Sequence, residues 1–198
     1  HVAYKTSTDQ GKSWSKQGTK ITAFWGNSIK NKPLALGQHR MLLPLYHEMF
    51  STYGYSCLVT AKQEMLVDKR CAVIPGSDHL QPALVRLPSG RVVAYLRNTK
   101  KQNVLLSILS PDLENWSEPS PVNLPNPNAP IDVIAMSDGK LLAVYNRSST
   151  DRSVLSLAVT TDGLRFDWLK DLENDPSAGG FSYATVIQDR HGLFHVVY

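Results

Sequence analysis

The sequence predicts an all-β fold of repeated four-stranded units, a β-propeller present as part of a ring. Three observations lead there. An apolar run, a polar turn containing glycine and a second apolar run recur four times, which is the signature of a hairpin. The copies are about 50 residues apart, the length of one four-stranded propeller blade. Finally, no stretch keeps the apolar period of a helix.

In chain order, residues 1 to about 25 supply the closing strands of one blade. Their turn, Ser7-Thr8-Asp9-Gln10-Gly11-Lys12-Ser13-Trp14, has the spacing S-x-D-x-G-x-x-W. Asp9 and Gly11 sit where a tight turn needs a side-chain acceptor and a residue free to take positive φ. Ser7 adds a hydroxyl, and Trp14 is expected to pin the returning strand by burying its ring. Complete blades are expected near 28–78, 79–127 and 128–178, and the start of another over 179–198. Their hairpins are Pro33–Leu36 into Arg40–Tyr46, Pro82–Leu87 into Gly90–Arg97, Pro130–Ala135 into Gly139–Asn146, and Tyr183–Ile187 into Gly192–Tyr198. Third strands follow at Tyr55–Thr60, Val104–Leu109 and Ser153–Val159. After the second comes Ser110-Pro111-Asp112-Leu113-Glu114-Asn115-Trp116, the same turn one residue short; after the third, a looser copy, Thr160 to Phe166. The corresponding turn of the first full unit has lost the motif. The expectation is part of a ring, of six blades when complete, with some of its site carried by other segments.

Composition narrows the function classes. Hydrophobic residues at 42% and charged residues at 19% are ordinary for a globular domain, and no apolar run is long enough to span a membrane. A formal charge of +4 with scattered basic residues argues against a nucleic-acid groove, which needs them clustered with aromatics. Cys57 and Cys71 are the two cysteines; they are read as buried free thiols rather than a pair. The six histidines are dispersed, and His47-Glu48 lacks the second histidine of a zincin helix. No P-loop or dinucleotide fingerprint is present, so neither metal nor cofactor is expected. His195, within an apolar strand, is expected as a satisfied core or channel residue. The chain opens with His1-Val2 and carries no targeting pattern; a secreted or periplasmic location is favoured over a cytoplasmic one. Nothing sets an oligomeric state.

The S-x-D-x-G-x-x-W turn resembles the Asp-box of sialidases and related propellers. The wider order of motifs is more specific. Asn31-Lys32-Pro33, Leu80-Gln81-Pro82, Asp112 to Ser117, Leu124-Pro125-Asn126-Pro127-Asn128, Ile131-Asp132, Val144-Tyr145-Asn146, Arg152-Ser153 and Phe181-Ser182-Tyr183 occur in sequence. Together they resemble the bacterial-type neuraminidases with Asp-box (BNR) repeats, over essentially the whole chain. That resemblance implies release of a terminal sialic acid from a glycan through a covalent intermediate. Sialic acid carries a carboxylate on its anomeric carbon, which guanidinium groups clamp bidentately. A carboxylate nucleophile would be repelled, so sialidases use a tyrosine. With a free pKa of about 10, a tyrosine needs a neighbouring base, and the leaving glycan needs an acid.

Carried onto this sequence, the resemblance makes Tyr183 the nucleophile and Arg97 and Arg152 two of three carboxylate-binding arginines, with Arg147 competing for the place of Arg152. The first arginine of the triad is expected outside these residues. Where sialidases place the glutamate that activates the tyrosine, this chain has Gln81, which accepts no proton at neutral pH. Asp132 and Glu48, at the start and end of inner strands, are the carboxylates available instead. Lys32, Asn128 and Asn146 stand at similar strand ends and are candidates for binding sugar hydroxyls. The expected partner is a glycan with an acidic terminal sugar. Two alternatives keep the fold: a hydrolase or lyase acting on another acidic glycan, which Gln81 would explain, and a propeller that binds carbohydrate without turnover.

Overall fold

The computed structural model describes residues 1–62 and 65–198. It is a succession of antiparallel sheets arranged as a partial β-propeller. The first sheet pairs β1 (Ala3–Tyr4) with β2 (Thr19–Lys20). The second contains β3 (Asn27–Ile29), β4 (Leu34–Gly37), β5 (Arg40–Glu48), β6 (Thr52–Lys62) and β7 (Met65–Val73), with β3 and β4 both pairing β5. The third runs β8 (His79–Arg86), β9 (Val92–Asn98), β10 (Asn103–Ile108) and β11 (Ser120–Pro125) in sequence order. The fourth repeats that order with β12 (Asp132–Ala135), β13 (Leu141–Asn146), β14 (Val154–Thr160) and β15 (Asp167–Asn174). A last hairpin joins β16 (Thr185–Gln188) to β17 (Phe194–Val197).

The middle strands of the second, third and fourth sheets bury both faces, because each of these sheets packs against a neighbour on either side. In β9, Val93 and Tyr95 enter a core shared with the fourth sheet, while Val92, Ala94 and Leu96 enter one shared with the second. The period of two sends successive side chains to opposite faces, so a strand between two blades reads as continuously apolar. β13 repeats the scheme: Leu141, Ala143 and Tyr145 face the third sheet, and Leu142 and Val144 face the last hairpin with Ala184 and Val186.

The inner strands meet at a hub. The Asn31 side-chain amide donates to the carbonyls of Gln81 (3.0 Å), Pro82 (2.9 Å) and Ile131 (3.3 Å), tying three sheets together. Residues 30–33, between β3 and β4, make no strand of their own, which frees Lys30, Asn31 and Lys32 to reach across. At the opposite ends of the strands, the Ser-Asp turns close as their sequence predicts. Asp9 accepts the Ser13 backbone N–H (2.9 Å) and hydroxyl (2.5 Å), and Ser7 Oγ accepts the Gly11 N–H (2.8 Å). The two Ser13 hydrogen bonds, with one from the Ser7 hydroxyl (2.8 Å), hold the Asp9 carboxyl down to about 2. In the shortened copy, Leu113 takes the left-handed conformation (φ 66°) that glycine would otherwise supply.

Three expectations are corrected. Cys57 and Cys71 form a disulfide. They lie directly opposite one another on β6 and β7, with Cα atoms 4.0 Å apart, and the pairing register of two long strands is a non-local fact. Trp14 is 58% exposed, its indole N–H donating to Gly11 O (3.2 Å). The two-stranded sheet carrying it offers no second layer on that side, whereas Trp116, at the same place in its turn, is buried and bonded to Ser56 Oγ (3.1 Å). His195 is exposed and pairs with Asp189 (3.0 Å), because β17 is the outer member of a two-stranded hairpin.

Candidate functional site

The rim holding the end of β9 and the start of β8 gathers most of the chemistry. β8 carries a bulge between Leu80 and Ala83, where the ladder with β9 shifts register. Pro82 has no N–H to give the ladder and suits that place, and the bulge re-aims Gln81. Gln81, Asn128 and Tyr183, each at or just ahead of an inner strand, take positive φ of 53°, 61° and 63°. For non-glycine residues such backbone costs on the order of 1–3 kcal/mol, and it gathers where a site over-determines it. Asn126 folds the approach to Asn128, its Oδ1 accepting the Ala129 N–H (3.2 Å) and its Nδ2 donating to Ala129 O (2.7 Å).

Arg97, at the end of β9 and buried, donates through Nε to Asn128 Oδ1 (2.6 Å) and through Nη1 to Gln81 Oε1 (3.1 Å). Arg152 donates through Nη2 to the Asn128 carbonyl (2.7 Å) and through Nη1 to Ser182 Oγ (3.2 Å). Its guanidinium stands 5.7 Å from the centre of the Tyr183 ring. Both arginines therefore converge on Asn128, beside a tyrosine that is 52% exposed. Neither forms an ion pair among the described residues. Two guanidiniums held by neutral acceptors leave their charge for an anion. Gly180 makes the approach possible: it has φ 112°, and a Cβ there would come within 3.1 Å of Arg152 Cβ. Arg147 is occupied elsewhere, forming a bidentate pair with Asp171 (3.1 and 2.7 Å) and stacking on Trp168.

The remaining sequence candidates divide by location. Asp132 is buried in the hub, where its Oδ2 is ion-paired to Lys32 Nζ and accepts from Thr185 Oγ1 and the Val186 N–H (both 2.9 Å). Its Oδ1 accepts the Val133 N–H (3.0 Å). A carboxylate so engaged is a tie between sheets, and it is not part of the hydrogen-bonded cluster at Arg97 and Arg152. Lys32 is committed with it. Lys30 donates to Ala184 O (2.7 Å), and burial pushes its amine down to about 8, with Asp132 opposing that shift and Lys32 adding to it. Asn146 is buried and donates to the carbonyls of Arg152 (3.3 Å), Val154 (3.1 Å) and Phe181 (2.8 Å), so it positions the Arg152 and Tyr183 segments. Glu48 is exposed at the end of β5, and its side chain makes no hydrogen bond among the described residues. No group of three or more histidine, cysteine or acidic side chains among the described residues is placed to hold a metal ion.

Sequence reasoning missed two residues of this cluster. Tyr46 lies with its hydroxyl 3.5 Å from Gln81 Nε2. The signal was available: Tyr46, Arg97 and Asn146 each stand six places after the basic residue that opens the second strand of their hairpin (Arg40, Arg91 and Lys140). Ser182, the acceptor for Arg152, stood in the Phe181-Ser182-Tyr183 motif, but nothing in the sequence marked it as that arginine's partner.

The chain's relationships agree with this architecture. The family model of the BNR repeat-like domain matches residues 1–196. No curated protein matches by sequence. Among solved structures, the chain resembles an intramolecular trans-sialidase from Ruminococcus gnavus in complex with oseltamivir carboxylate, with TM-score 0.73 and 18% identity over 98% of this chain and 45% of that one. It also resembles the leech intramolecular trans-sialidase complexed with 2,7-anhydro-Neu5Ac (TM-score 0.74, 18% identity, 98% and 32% of the two chains). A Hadza microbial sialidase follows with TM-score 0.63, 14% identity and coverage of 87% and 37%. The chain thus spans less than half the length of each, and at these identities the likeness is one of fold. The sheet order and the match along nearly its whole length place this chain in the BNR repeat-like domain family.

Proposed function

We propose that the protein is a sialidase-like glycoside hydrolase that removes a terminal acidic sugar, sialic acid, from glycans. One observation carries this reading: Arg97 and Arg152, both without a carboxylate partner among the described residues, converge on Asn128 next to an exposed tyrosine. The two guanidiniums take the sugar carboxylate. Tyr183 Oη then attacks the anomeric carbon as the bond to the leaving glycan oxygen breaks, giving a tyrosyl-linked sugar that water hydrolyses with net retention. Solved proteins of the same fold are sialidases and trans-sialidases, which supports the choice of sugar. The acid and base of that reaction are not among the groups hydrogen-bonded around Arg97 and Arg152.

Gln81 favours a second reading. It accepts from Arg97 at the position where the resemblance to sialidases expects the base for the tyrosine, so the same anion grip suits a hydrolase or lyase of another acidic glycan, or a binding propeller. Turnover of a fluorogenic α-sialoside by the full-length protein, abolished in Tyr183→Phe and trapped by a fluorinated sialic acid, supports the first reading. Inactivity on sialosides with turnover of uronate-containing glycans moves the assignment to the second. Binding without turnover on either leaves a lectin-like role.

A further inference from the structure

We infer that the rim opposite Arg97 and Arg152 carries a second anion site, one that takes an acidic oligosaccharide through Arg40, Arg86 and Arg91. These three side chains line a groove of about 960 Å³ formed by the start of β5, the β8–β9 turn and the Ser-Asp turn after β10. Gln81 and Arg86 are five positions apart on β8, so the two sites stand roughly 15 Å apart along the strand. The groove does not depend on the reading of the upper rim.

Charge is the first reason. None of the described residues lining the groove is acidic. The ion pairs among the described residues use Lys32, Arg70, Lys100, Lys140, Arg147 and His195, and none of these lines it. The carboxylates nearest in sequence are engaged: Asp112 accepts the Ser110 hydroxyl and the Glu114 N–H (3.0 Å), and Glu114 pairs with Arg70 (3.2 Å). Three guanidiniums that pair with no carboxylate among the described residues match carboxylate or sulfate groups. The groove's volume lies in the range that small-ligand sites occupy.

The surroundings choose the class of ligand. Stacking of nucleic-acid bases needs an exposed ring face, and the groove's one aromatic, Trp116, is 5% exposed. An extended peptide would add along a free strand edge; β9 and β10 are paired on both sides, and the edge strands β4 and β8 reach the groove only through Leu36 and Arg86, too short a length for a ladder. A saccharide needs neither. Leu36 and Leu113 offer apolar surface to its C–H faces, and Ser89 and Asn115 offer polar partners to its hydroxyls.

Calorimetric titration of the full-length protein with a heparin-derived hexasaccharide and with hexagalacturonate tests the site. At least one is expected to bind, more weakly at 200 mM than at 50 mM salt, while maltohexaose does not. Binding by one alone assigns the anion as sulfate or carboxylate and supports the site. Arg86→Ala with Arg91→Ala is expected to weaken binding at least tenfold, and Arg40→Glu, on a different sheet, to do the same should the double variant not fold. In Arg97→Ala, which removes any grip of the upper rim on these acidic glycans, the groove is expected to keep its binding and that binding to remain sensitive to Arg86→Ala with Arg91→Ala, which separates the groove from the upper rim. Failure of both acidic hexasaccharides to bind, binding that ignores these substitutions, or tighter binding of a polyglutamate peptide overturns the proposal.

Discussion

Gln81 shows how one side chain sets the character of the upper rim. Its amide oxygen accepts from Arg97 Nη1 at 3.1 Å, a neutral contact that leaves the guanidinium's charge available to a ligand. A carboxylate at that place would form a charge-assisted pair with Arg97 and compete with the anion. Gln81→Glu is therefore expected to raise KM for an acidic substrate about tenfold, or roughly 1.4 kcal/mol, and to raise kcat where a tyrosine nucleophile lacks its base. An unchanged KM would remove Arg97 from the carboxylate grip. Beneath the rim, His79 has a structural task. Its Nδ1 accepts the Gly54 N–H (3.0 Å), so Nε2 carries the proton donated to Pro75 O (2.9 Å). Burial is the main cause that lowers its pKa from 6.5. A depressed histidine binds fewer protons folded than unfolded below pH 6.5, so its contribution to stability is present above that pH and lost as pH falls. Urea denaturation at pH 7 and pH 5 should show a larger acid loss for the wild type than for His79→Gln; equal losses would disprove the neutral tautomer.

At the scale of elements, what the sequence reveals depends on how local the device is. The Ser-Asp turns are legible because Ser7, Asp9 and Gly11 bond within one another's reach. The β8 bulge and the opposed Cys57 and Cys71 were not legible, since each is fixed by register against a neighbouring strand. Arg97 and Arg152 were marked by resemblance and by their places at strand ends, but their common partner Asn128 emerges only when two sheets are adjacent. The looser turn at Thr160–Phe166 offers a sharp test of such coupling. Gly163 has φ 77°, its carbonyl accepts the Tyr95 hydroxyl (2.6 Å), and an added Cβ would lie 2.6 Å from Leu87 Cδ2 and 3.0 Å from Tyr95 Oη. Gly163→Ala then adds left-handed strain to overpacking of a buried tyrosine, and should destabilise the protein by on the order of 2–3 kcal/mol. A loss under about 0.5 kcal/mol, the usual range for a surface change, would show that the turn is not locked to the third sheet.

Across the whole molecule, the repeat was legible because every blade solves the same burial problem, whereas the hub was not, because Asn31 and Lys32 stand 100 residues from their partners Ile131 and Asp132 in sequence. Long-range ties of that kind hold the sheets in order, and a covalent one adds to them at the second sheet. Cys57 and Cys71 join β6 to β7 across a separation of 14 residues, for which loop-closure entropy gives a stabilisation of about 3 kcal/mol. Loss of the bond should lower Tm by roughly 6–12 °C in a chain of this size, measurable as the difference between oxidised protein and Cys57→Ser with Cys71→Ser. Since disulfides persist in oxidising compartments, protein exported to the bacterial periplasm should show no titratable thiol when denatured, and protein retained in the cytoplasm should show two and melt near the double variant. Equal melting of oxidised, reduced and double-variant protein would mean that the long β6–β7 ladder and the buried face of β6 already restrain this edge, so that closing the loop removes little freedom from the unfolded chain.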